Sequence, residues 1–418
     1  MDILVIGSGG REHAICLALS KSSEVNKLYC APGNAGISEI AECVNINVMD
    51  SEGIVKFLNE HKNIGMTVVA PDDPLANGLV DTLEQNGHRA FGPHKNAAII
   101  EASKAFSKWL MKKYNIPTAE YEEFTDINLA LEYVRGASYP LVVKADGLAL
   151  GKGVIICENV SDAEVALKEM MIEGKFKDAG NKVIVEEFLY GREVSVLCFC
   201  DGKTIVPMVS SQDHKRALDN DKGLNTGGMG TFSPSKIYTK DIADEVYKTI
   251  IVPTMEAMNS ENRKFKGVLY FGLMLTDKGV KVLEYNARFG DPETQVVLPR
   301  LKTDLYKIFD AIIDERLADI DVEWEDNATV CVILASGGYP EAYEKGLPIE
   351  IGNLDEGITL YHAGTAFKDG KLVTNGGRVI GVTASGKDID EARAKAYSNV
   401  DKIKFDKVHY RKDIGIKL

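Results

Sequence analysis

The amino-acid sequence predicts a multidomain protein that combines α/β and α+β folds. Its 418 residues exceed what one ordinary hydrophobic core accommodates, which favours roughly two to four domains. Short apolar runs alternate with helical stretches over residues 1–102, a pattern typical of βαβ units built on a parallel sheet. From residue 191 onward, pairs of apolar runs flank turn residues instead, which is typical of antiparallel hairpins.

The composition excludes several functional classes. The formal net charge of −13 argues against a nucleic-acid-binding face, although it is compatible with a local basic pocket for a phosphorylated small molecule. The seven cysteines include no CxxC pair and lie mostly in apolar runs, so we interpret them as reduced core thiols and not as zinc ligands or disulfides. Because no apolar run is long enough to span a membrane and the N-terminus has no basic flank, we predict a cytoplasmic protein.

The elements of the N-terminal region follow from its alternating pattern. We predict strands at residues 3–6, 27–30, 44–48, 66–70 and 90–92. We predict helices at residues 11–21, 51–62, 76–86 and 97–114, the last of which ends before Pro117. The pattern changes near Ser103, which we therefore take as the first domain boundary.

The rest of the chain contains a small α+β unit, two hairpins and a C-terminal unit. In the first, strands at residues 141–145 and 154–157 flank a glycine-rich loop at residues 147–153, and another strand covers residues 183–189. The hairpins turn at residues 201–202 and 276–279, and helices are predicted at residues 240–259 and 304–315. An acidic linker at residues 319–327 precedes strands at residues 328–335 and 379–383 and a helix at residues 389–403.

The first glycine-rich loop, Gly7-Ser8-Gly9-Gly10, follows the first strand and opens a helix. This position favours an anion at the helix N-terminus. A dinucleotide site fits poorly, because the third glycine of that fingerprint would fall at Glu12. A tight turn that simply requires glycine explains the loop equally well.

The second glycine-rich loop follows a lysine in an unusual place. Lys144 lies inside the apolar strand Leu141-Val142-Val143-Lys144-Ala145, where an unpaired ammonium group would be costly and requires an anionic partner. The loop is not a Walker A motif, because Gly153 stands where Ser or Thr should hold magnesium. A flexible loop that closes over triphosphate oxygens explains the pattern; a glycine-rich hairpin with a surface lysine is the alternative.

The strand that ends in Glu284-Tyr285-Asn286 is the sharpest candidate for a metal site. Glu284 and Asn286 are two residues apart and therefore face the same side of a strand. They offer a carboxylate and an amide oxygen, which Mg²⁺ accepts together with substrate phosphates and water. Arg288 continues this face if the strand extends that far, and could then bind a carboxylate or a phosphoryl group bidentately. The alternative is the ordinary solvent face of an amphipathic strand.

Seven motifs occur in a single order along the chain. They are Gly9-Gly10-Arg11-Glu12-His13-Ala14, Ala31-Pro32-Gly33-Asn34-Ala35-Gly36, Lys144-Ala145-Asp146-Gly147-Leu148-Ala149, Gly151-Lys152-Gly153-Val154, Ser211-Gln212-Asp213-His214-Lys215-Arg216, Asn225-Thr226-Gly227-Gly228-Met229-Gly230 and Arg288-Phe289-Gly290-Asp291-Pro292-Glu293-Thr294-Gln295. Through them the chain resembles the phosphoribosylamine–glycine ligase family of the ATP-grasp superfamily, from the first strand to Arg411-Lys412-Asp413-Ile414-Gly415.

The resemblance implies both an architecture and an activity. The expected domains are Rossmann-like (residues 1–102), an ATP-grasp core (103–320) with a mobile lid (about 117–190), and a small α+β C-terminal domain (326–418). The implied reaction is ATP-dependent ligation of glycine to 5-phosphoribosylamine, through glycyl phosphate, in de novo purine synthesis. ATP is a substrate, Mg or Mn is the metal, and the only partners expected of this monomer or weak homo-oligomer are small molecules.

The resemblance also implies roles for individual residues. For ATP binding the residues are Lys104, Lys144, Gly151, Lys152, Gly153, the hinge Glu186-Glu187-Phe188-Leu189 around adenine, and Glu193 at the ribose. For the metal they are Glu284 and Asn286. For the acceptor side they are Gly9, Gly10, Arg11, Glu12, Asp213, Lys215, Asn225 and Arg288. Lys144, Arg288 and Asp213 are the expected catalytic groups.

One loop departs from the family pattern, and two other functions stay open. The family commonly has Gly-Pro-Glu-Ala-Pro-Leu where this chain has Ala70-Pro71-Asp72-Asp73-Pro74-Leu75, so the acidic group at Asp72 is one methylene shorter. An ATP-grasp ligase with a different carboxylate and amine would keep the lysine, hinge and metal motifs. A non-catalytic nucleotide-binding module would have no need of Lys144 and Glu284 together.

Overall fold

The computed structural model describes residues 1–148, 153–175 and 177–416, and its N-terminal unit is a parallel sheet flanked by helices. The strands are β1 (Asp2–Gly7), β2 (Lys27–Pro32), β3 (Glu42–Cys43), β4 (Ile64–Val69) and β5 (Ala90–Phe91). The helices are α1 (Gly10–Leu19), α2 (Ser51–Glu60), α3 (Asp72–Asn77), α4 (Leu79–Gln85) and α5 (Lys95–Ala102). The strand order is β3-β2-β1-β4-β5 with every pairing parallel, so the order reverses beside β1 and opens a crevice at the carboxyl ends of β1 and β4.

Three predicted elements of this unit were wrong in detail. The helix expected at residues 97–114 is broken at Ser103, whose extended backbone and hydroxyl cap α6 (Lys104–Lys113). The helix expected at residues 76–86 is divided by Gly78, which has a left-handed backbone with φ of 86°. Residues 44–48 are not a strand: the edge strand β3 ends at Cys43, although Val44, Ile46 and Val48 still pack against the core.

The segment predicted as a lid, which we call the lid unit, forms a four-stranded antiparallel sheet covered by two helices. It comprises β6 (Tyr121–Phe124), α7 (Ile127–Gly136), β7 (Leu141–Ala145), β8 (Val154–Cys157), α8 (Val160–Met171) and β9 (Val183–Glu187), in the strand order β6-β9-β7-β8. The central strand β7 pairs with both β8 and β9, which confirms the strands predicted on either side of the second glycine-rich loop.

The core between the lid and the C-terminal unit contains the two predicted hairpins. Its first strands are β10 (Arg192–Cys200), β11 (Ile205–Pro207), β12 (Gln212–Asp213), β13 (Arg216–Leu218), β14 (Lys222–Asn225) and β15 (Gly230–Ser233). It continues with α9 (Lys240–Val246), α10 (Val252–Ser260), β16 (Gly267–Thr276), β17 (Gly279–Asn286), α11 (Thr294–Val297) and α12 (Leu305–Ile313). One sheet has the order β11-β10-β16-β17, and the predicted turns at residues 201–202 and 276–279 join its antiparallel pairs.

The C-terminal unit completes its sheet with strands from the core. It comprises β18 (Ala328–Ala335), β19 (Glu350–Ile351), β20 (Ile358–His362), β21 (Thr365–Lys368), β22 (Lys371–Thr374), β23 (Arg378–Gly386), α13 (Ile389–Val400) and β24 (Ile403–Lys404). The five-stranded sheet has the order β12-β15-β18-β23-β20, so β15 of the core pairs directly with β18. Within the described part of the chain, no helix has the length and apolar character needed to span a bilayer.

Three phenylalanines from separate elements join the N-terminal sheet to the core. Phe309 of α12 is fully buried and stacks on Phe91 of β5, with ring centroids 3.8 Å apart, while the ring of Phe289 lies 6.1 Å from that of Phe309. Because Phe289 follows β17, this cluster also supports the loop that carries Arg288.

Replacing Phe309 with alanine is expected to lower the free energy of unfolding by about 3–5 kcal/mol, because it removes a large buried ring and leaves a cavity. Denaturant unfolding followed by circular dichroism measures this change. Phe367→Ala is the matched control, since that ring is 57% exposed and its loss should change stability little. Equal losses in the two variants would contradict the assigned role of the cluster.

Candidate active site

A large cavity of about 1340 Å³ lies where the four units meet, and every unit contributes charged groups to its wall. The N-terminal unit supplies Arg11 and Asp72, the lid supplies Lys144, the core supplies Glu284 and the C-terminal unit supplies Arg378. The carboxyl-end crevice of the parallel sheet opens into this cavity, because Arg11 follows β1 and Asp72 follows β4.

The lysine of the second glycine-rich motif has the anionic partner that its burial requires. Lys144 Nζ lies 2.9 Å from Glu186 Oε2, and Lys108 Nζ lies 3.1 Å from the same oxygen. Nearby, Lys104 Nζ donates to the carbonyl oxygen of Gly147 at 2.8 Å. Burial lowers the pKa of Lys104, and it lowers the pKa of Lys108 to about 8 against the opposing effect of Glu186. The two lysines that share the Glu186 carboxylate leave an excess of positive charge there, which suits a polyanionic ligand.

The hinge residues line the cavity, but their two carboxylates are already engaged. Glu186 holds the two lysines, and Glu187 Oε1 accepts from Lys281 Nζ at 2.5 Å and from the backbone amide of Glu120 at 3.1 Å. Burial alone would raise the pKa of Glu187, but the ammonium group of Lys281 lowers it below its usual range. The hinge therefore presents its backbone and the side chains of Phe188 and Leu189 to a ligand. Of the glycine-rich loop, Gly153 lines the cavity, whereas Gly151 and Lys152 lie outside the described residues.

The predicted metal strand exists, and both of its candidate ligands line the cavity. Glu284 and Asn286 lie on one face of β17. Burial alone would raise the pKa of Glu284, but the ammonium groups of Lys215, Lys144 and Lys104 lower it, so this carboxylate is ionised. The Asn286 side chain is oriented so that its nitrogen donates to Glu101 Oε1 at 2.9 Å and to the Tyr285 carbonyl at 3.2 Å, which leaves its oxygen as an acceptor.

This pair of oxygen donors fits a hard divalent cation whose remaining ligands are water molecules and substrate oxygens. Among the residues that the structure describes, no group of three or more histidine, cysteine, aspartate or glutamate side chains could hold a metal ion. The two donors on β17 therefore suit Mg²⁺ or Mn²⁺ that is also bound by substrate phosphates and water, and not a site built entirely from protein ligands.

Arg288 reaches the cavity by a different route from the one predicted. The strand ends at Asn286, so Arg288 does not continue its face; instead, its guanidinium group lies 2.7 Å from Glu101 Oε1. Burial opposes ionisation of Asp72, but Arg288 and Arg11 lower the pKa of that carboxyl. The Nε atom of Arg288 is buried and has no hydrogen-bond partner within the described part of the chain.

Glu101 was not identified from the sequence, although a signal was present. It is the only charged residue in the run Ala97-Ala98-Ile99-Ile100-Glu101-Ala102, and a buried carboxylate there requires a partner. In the structure it is buried, accepts the backbone amide of Ala287 at 2.7 Å and pairs with Arg288. It thus holds the segment immediately after the metal strand.

Two residues of the fifth motif belong to a second charged cluster, which adjoins the predicted metal strand. Lys215 Nζ lies 3.0 Å from Glu193 Oε2 and 3.5 Å from Glu284 Oε1, so it joins the expected ribose and metal residues. Burial and the Glu293 carboxylate raise the pKa of Asp213 well above its usual range, and Asp213 Oδ1 has no hydrogen-bond partner among the described residues. Asn225 also lines the cavity.

Only part of the first glycine-rich loop reaches the cavity. Arg11 lines the cavity, whereas Gly9, Gly10 and Glu12 are not among the residues that line it. The Glu12 carboxylate folds back and accepts from the Gly9 amide and from Arg11 Nε, both at 2.6 Å. An added Cβ at Gly7 would lie 2.4 Å from Glu12, so this fold-back requires glycine there. The predicted anion at this helix N-terminus would therefore have to compete with Glu12 for the Gly9 amide.

Arg378 is one of the residues that the C-terminal unit contributes to the cavity, and the sequence offered no local signal for it. Its guanidinium group lies 3.2 Å from Asp291 Oδ2 and donates to the carbonyl oxygens of Asp291 at 2.8 Å and Gly227 at 2.6 Å. Burial alone would raise the pKa of Asp291, but the guanidinium groups of Arg378 and Arg11 lower it below its usual range. Arg378 therefore bridges the last two motifs, at residues 225–230 and 288–295, which lie next to each other.

The chain is similar to known proteins over nearly its full length. Three family models match: phosphoribosylglycinamide synthetase N domain at residues 1–101, its ATP-grasp (A) domain at residues 102–294 and its C domain at residues 329–417. Phosphoribosylamine–glycine ligase of Caldanaerobacter subterraneus subsp. tengcongensis is 49% identical over 417 residues, with 99% of each chain covered. The enzyme of the same name from Clostridium acetobutylicum is 46% identical over 415 residues, again with 99% of each chain covered.

Two solved structures show the fold. A crystal structure of phosphoribosylamine–glycine ligase from Thermotoga maritima has a TM-score of 0.84 and 35% identity, covering 99% of this chain and 100% of that one. The biotin carboxylase domain of Hydrogenobacter thermophilus 2-oxoglutarate carboxylase, solved with MgADP and bicarbonate, has a TM-score of 0.76 and covers 98% of this chain and 91% of that one. Its identity of 16% makes it a likeness of fold alone.

Proposed function

The chain belongs to the phosphoribosylglycinamide synthetase family, and from that premise we propose that it ligates glycine to 5-phosphoribosylamine at the expense of ATP. The products are glycinamide ribonucleotide, ADP and phosphate, and the reaction is a step of de novo purine synthesis. The observation that carries the proposal is similarity to phosphoribosylamine–glycine ligases at up to 49% identity over 99% of both chains. The charged cavity supports it, because it combines a lysine-rich end, the Glu284 and Asn286 pair on β17, and the polar side chains of Asp213 and Asn225.

The lysine-rich end is the proposed ATP site. Lys104 and Lys144 would bind phosphate oxygens, since both line the cavity, where Lys144 is buried and Lys104 half-buried. The loop Gly151-Lys152-Gly153 would cover those phosphates, the hinge Glu186-Glu187-Phe188-Leu189 would enclose adenine, and Glu193 would contact the ribose. Glu186 would set the position of Lys144 through their 2.9 Å ion pair.

The metal site is proposed at Glu284 and Asn286, with Mg or Mn as the ion. Bound there, the ion would offset negative charge on the ATP phosphates as the γ-phosphoryl group is transferred. The excess positive charge of Lys104, Lys144 and Lys215 keeps Glu284 ionised and therefore ready to bind a cation.

The acceptor side is proposed at Asp213, Lys215, Asn225 and Arg288, with the Gly9-Gly10-Arg11-Glu12 loop facing phosphoribosylamine through Arg11. Arg288 would bind a carboxylate or the transferred phosphoryl group, because Glu101 holds its guanidinium group at the cavity wall. The unpartnered Oδ1 of Asp213 would accept a hydrogen bond from the attacking amine. The shorter side chain of Asp72 stays beside Arg11 and Arg288, which lower its pKa.

The reaction proceeds in two displacements. A carboxylate oxygen of glycine attacks the γ-phosphorus of ATP, the bond to the β-phosphate oxygen breaks, and ADP leaves. The nitrogen of phosphoribosylamine then attacks the carbonyl carbon of glycyl phosphate, phosphate leaves with the bonding electron pair, and the nitrogen loses one proton. Positioning and exclusion of water supply most of the acceleration, so no enzyme nucleophile is required.

The setting of the reaction is also part of the proposal. All seven cysteines are unpaired thiols and six are buried, which suits the reducing conditions of the cytoplasm. We propose that the protein works there as a monomer or weak homo-oligomer that binds only small molecules. Light scattering coupled to size-exclusion chromatography measures the oligomeric state directly.

Phosphate release is the measurement that tests the proposed function. ATP and magnesium are supplied, and glycine and freshly generated phosphoribosylamine are added singly and together, with the product identified by mass. We expect release that requires both substrates and a product mass that matches glycinamide ribonucleotide. Release that requires another carboxylate or amine would overturn the substrate assignment and leave an ATP-grasp ligase with a different acceptor; nucleotide binding without any turnover would support a non-catalytic module.

A further inference from the structure

The C-terminal motif Arg411-Lys412-Asp413 does not line the cavity, yet among the described residues it holds the largest fully buried side chain. Arg411 has no solvent exposure, and its Nε and one terminal nitrogen donate to the two carboxylate oxygens of Asp413 at 2.7 and 2.8 Å. A buried guanidinium group with so many partners is expensive to remove from water, so its contacts define one arrangement of the surrounding chain.

The motif is anchored to the C-terminal unit. Arg393 of α13 donates to the carbonyl oxygens of Ile414 at 3.0 Å and Lys412 at 2.7 Å. The hydroxyl of Tyr397, also on α13, donates to the Arg411 carbonyl at 2.7 Å. His409 exchanges backbone hydrogen bonds with Ala335 at the end of β18. The segment is therefore held by α13 and β18 of its own unit, independently of its contacts with other units.

On its other side, the motif contacts the β13–β14 hairpin, both at its tip (residues 219–221) and at Arg216, the first residue of β13. Arg411 donates to Asp221 Oδ1 at 2.9 Å and to the Arg216 carbonyl at 3.0 Å. The backbone amide of Lys412 donates to Asp219 Oδ1, and the amide of Asn220 donates to Asp413 Oδ2, both at 2.8 Å. We call this set of contacts the hairpin clasp.

The hairpin tip is a segment that needs such support. Asn220 and Asp221 both have left-handed backbones, with φ of 59° and 51°. Two successive non-glycine residues in this region are unfavourable and persist only where surrounding contacts impose them. The clasp contacts both residues and the aspartate that precedes them.

The base of the same hairpin carries two residues of the acceptor wall. β13 begins immediately after Lys215, β14 ends at Asn225, and Arg216 pairs with Asn225 across the ladder. Just beyond it, the backbone amide and hydroxyl of Thr226 both donate to the Lys215 carbonyl, at 2.7 and 2.8 Å. A shift of the tip is therefore transmitted along two short strands to Lys215 and Asn225.

We propose that Arg411 and Asp413 are positioning residues, which hold the β13–β14 hairpin so that Lys215 and Asn225 keep their places at the acceptor side. The inference rests on the proposed function, because it takes these two residues as acceptor-binding. It assigns the C-terminal motif to acceptor affinity and not merely to folding of the C-terminal unit. Arg411 itself does not line the cavity, so its effect is exerted through the hairpin.

Two variants weaken the clasp from opposite sides. Asp219→Ala removes the contact to Lys412 at a half-buried residue that does not line the cavity, so the protein should fold normally. Arg411→Lys keeps a positive charge but cannot reach Asp413 and Asp221 with one rigid fork. Lys402→Met is the control, because its 2.7 Å ion pair with Asp355 lies in the same C-terminal unit and contacts no part of the hairpin clasp.

For each variant, KM for glycine, phosphoribosylamine and ATP, kcat, the melting temperature and hydrogen exchange at residues 216–225 are measured. We expect KM for glycine or phosphoribosylamine to rise about 10-fold, as loss of one or two charged hydrogen bonds would produce, with KM for ATP within about twofold of the parent protein. Exchange at residues 216–225 should accelerate, and the control should match the parent protein in every measurement.

Unchanged acceptor KM values in both clasp variants would overturn the inference, as would an equal loss of all constants accompanied by a lowered melting temperature. Failure of the proposed function is distinguishable, because the parent protein itself would then show no release dependent on glycine and phosphoribosylamine. In that case, unchanged hydrogen exchange at residues 216–225 in the variants would still contradict the clasp.

Discussion

Lys144→Met is expected to lower kcat for ATP-dependent ligation by roughly 10²–10³-fold, the usual cost of removing one charge-stabilising donor from a transition state. The ammonium group of Lys144 faces the cavity from β7, and methionine retains the apolar stem that packs in this strand. The substitution also frees Glu186 from one of its two lysines, so the remaining 3.1 Å contact with Lys108 would hold that carboxylate alone. Phosphate release under saturating substrates measures the effect.

The matched control for this variant is Lys168→Met, which removes an exposed lysine from α8 of the same lid unit. Among the described residues its only ion pair is a 3.8 Å contact with Glu164 within the helix, so turnover should stay within about twofold of the parent protein. Normal turnover in Lys144→Met would remove this residue from the reaction. A matching loss in the control would point instead to general damage to the lid.

Glu284→Gln is expected to raise the magnesium concentration required for half-maximal activity by about 10–100-fold, because an amide replaces the charged ligand without changing its shape. The variant also leaves Lys215, Lys144 and Lys104 without the carboxylate that they stabilise in the cavity. Excess metal should therefore restore only part of the lost turnover. Initial rates over a series of magnesium concentrations provide the measurement, and calorimetric titration of manganese in the presence of ADP checks binding without turnover.

Glu256→Gln provides the comparison for the metal variant, since Glu256 is an exposed carboxylate on α10, away from the cavity wall. It should have the magnesium dependence of the parent protein. An unchanged magnesium dependence in Glu284→Gln would place the metal site elsewhere and would leave the Glu284–Lys215 contact as a purely structural ion pair.

Local patterns in the sequence predicted the elements that carry the chemistry. The buried lysine of β7 and the pair Glu284 and Asn286 on β17 could be placed in advance, because strand periodicity depends on neighbouring residues alone. The hairpin turn at Gly202, with φ of 86°, was predictable for the same reason, since few residues other than glycine adopt that backbone readily. Fold class and family followed from such segments taken together.

The partners of those residues could not be predicted, because they come from distant parts of the chain. Lys144 meets Glu186 only when β7 pairs with β9, and Arg288 meets Glu101 only when α5 packs beside β17. Arg378 arrives from a strand that lies 87 residues beyond Asp291. Local periodicity contains no information about such pairings, so the sequence showed that a buried charge required a partner without identifying it.

The same limit explains the errors in the helices. Ser103 lies in a stretch of helix-forming residues, and its role as a cap depends on the hydroxyl accepting the Phe106 amide, donating to Asp146 and thereby setting where Lys104 points. The helical spacing of apolar residues continues on both sides of Ser103, so the sequence pattern does not reveal that the helix is broken there. The interruption is nevertheless functional, because it places Lys104 in the first turn of α6 at the cavity.

The pairing of β15 with β18 has a consequence for how the protein can be divided. Four residue pairs join these strands, so a chain cut in the acidic linker would expose the bare edge of β15 on one fragment and of β18 on the other. Unpaired strand edges recruit other chains, and both fragments would tend to aggregate. The C-terminal unit is therefore expected to fold well only together with the strand β15 that completes its sheet.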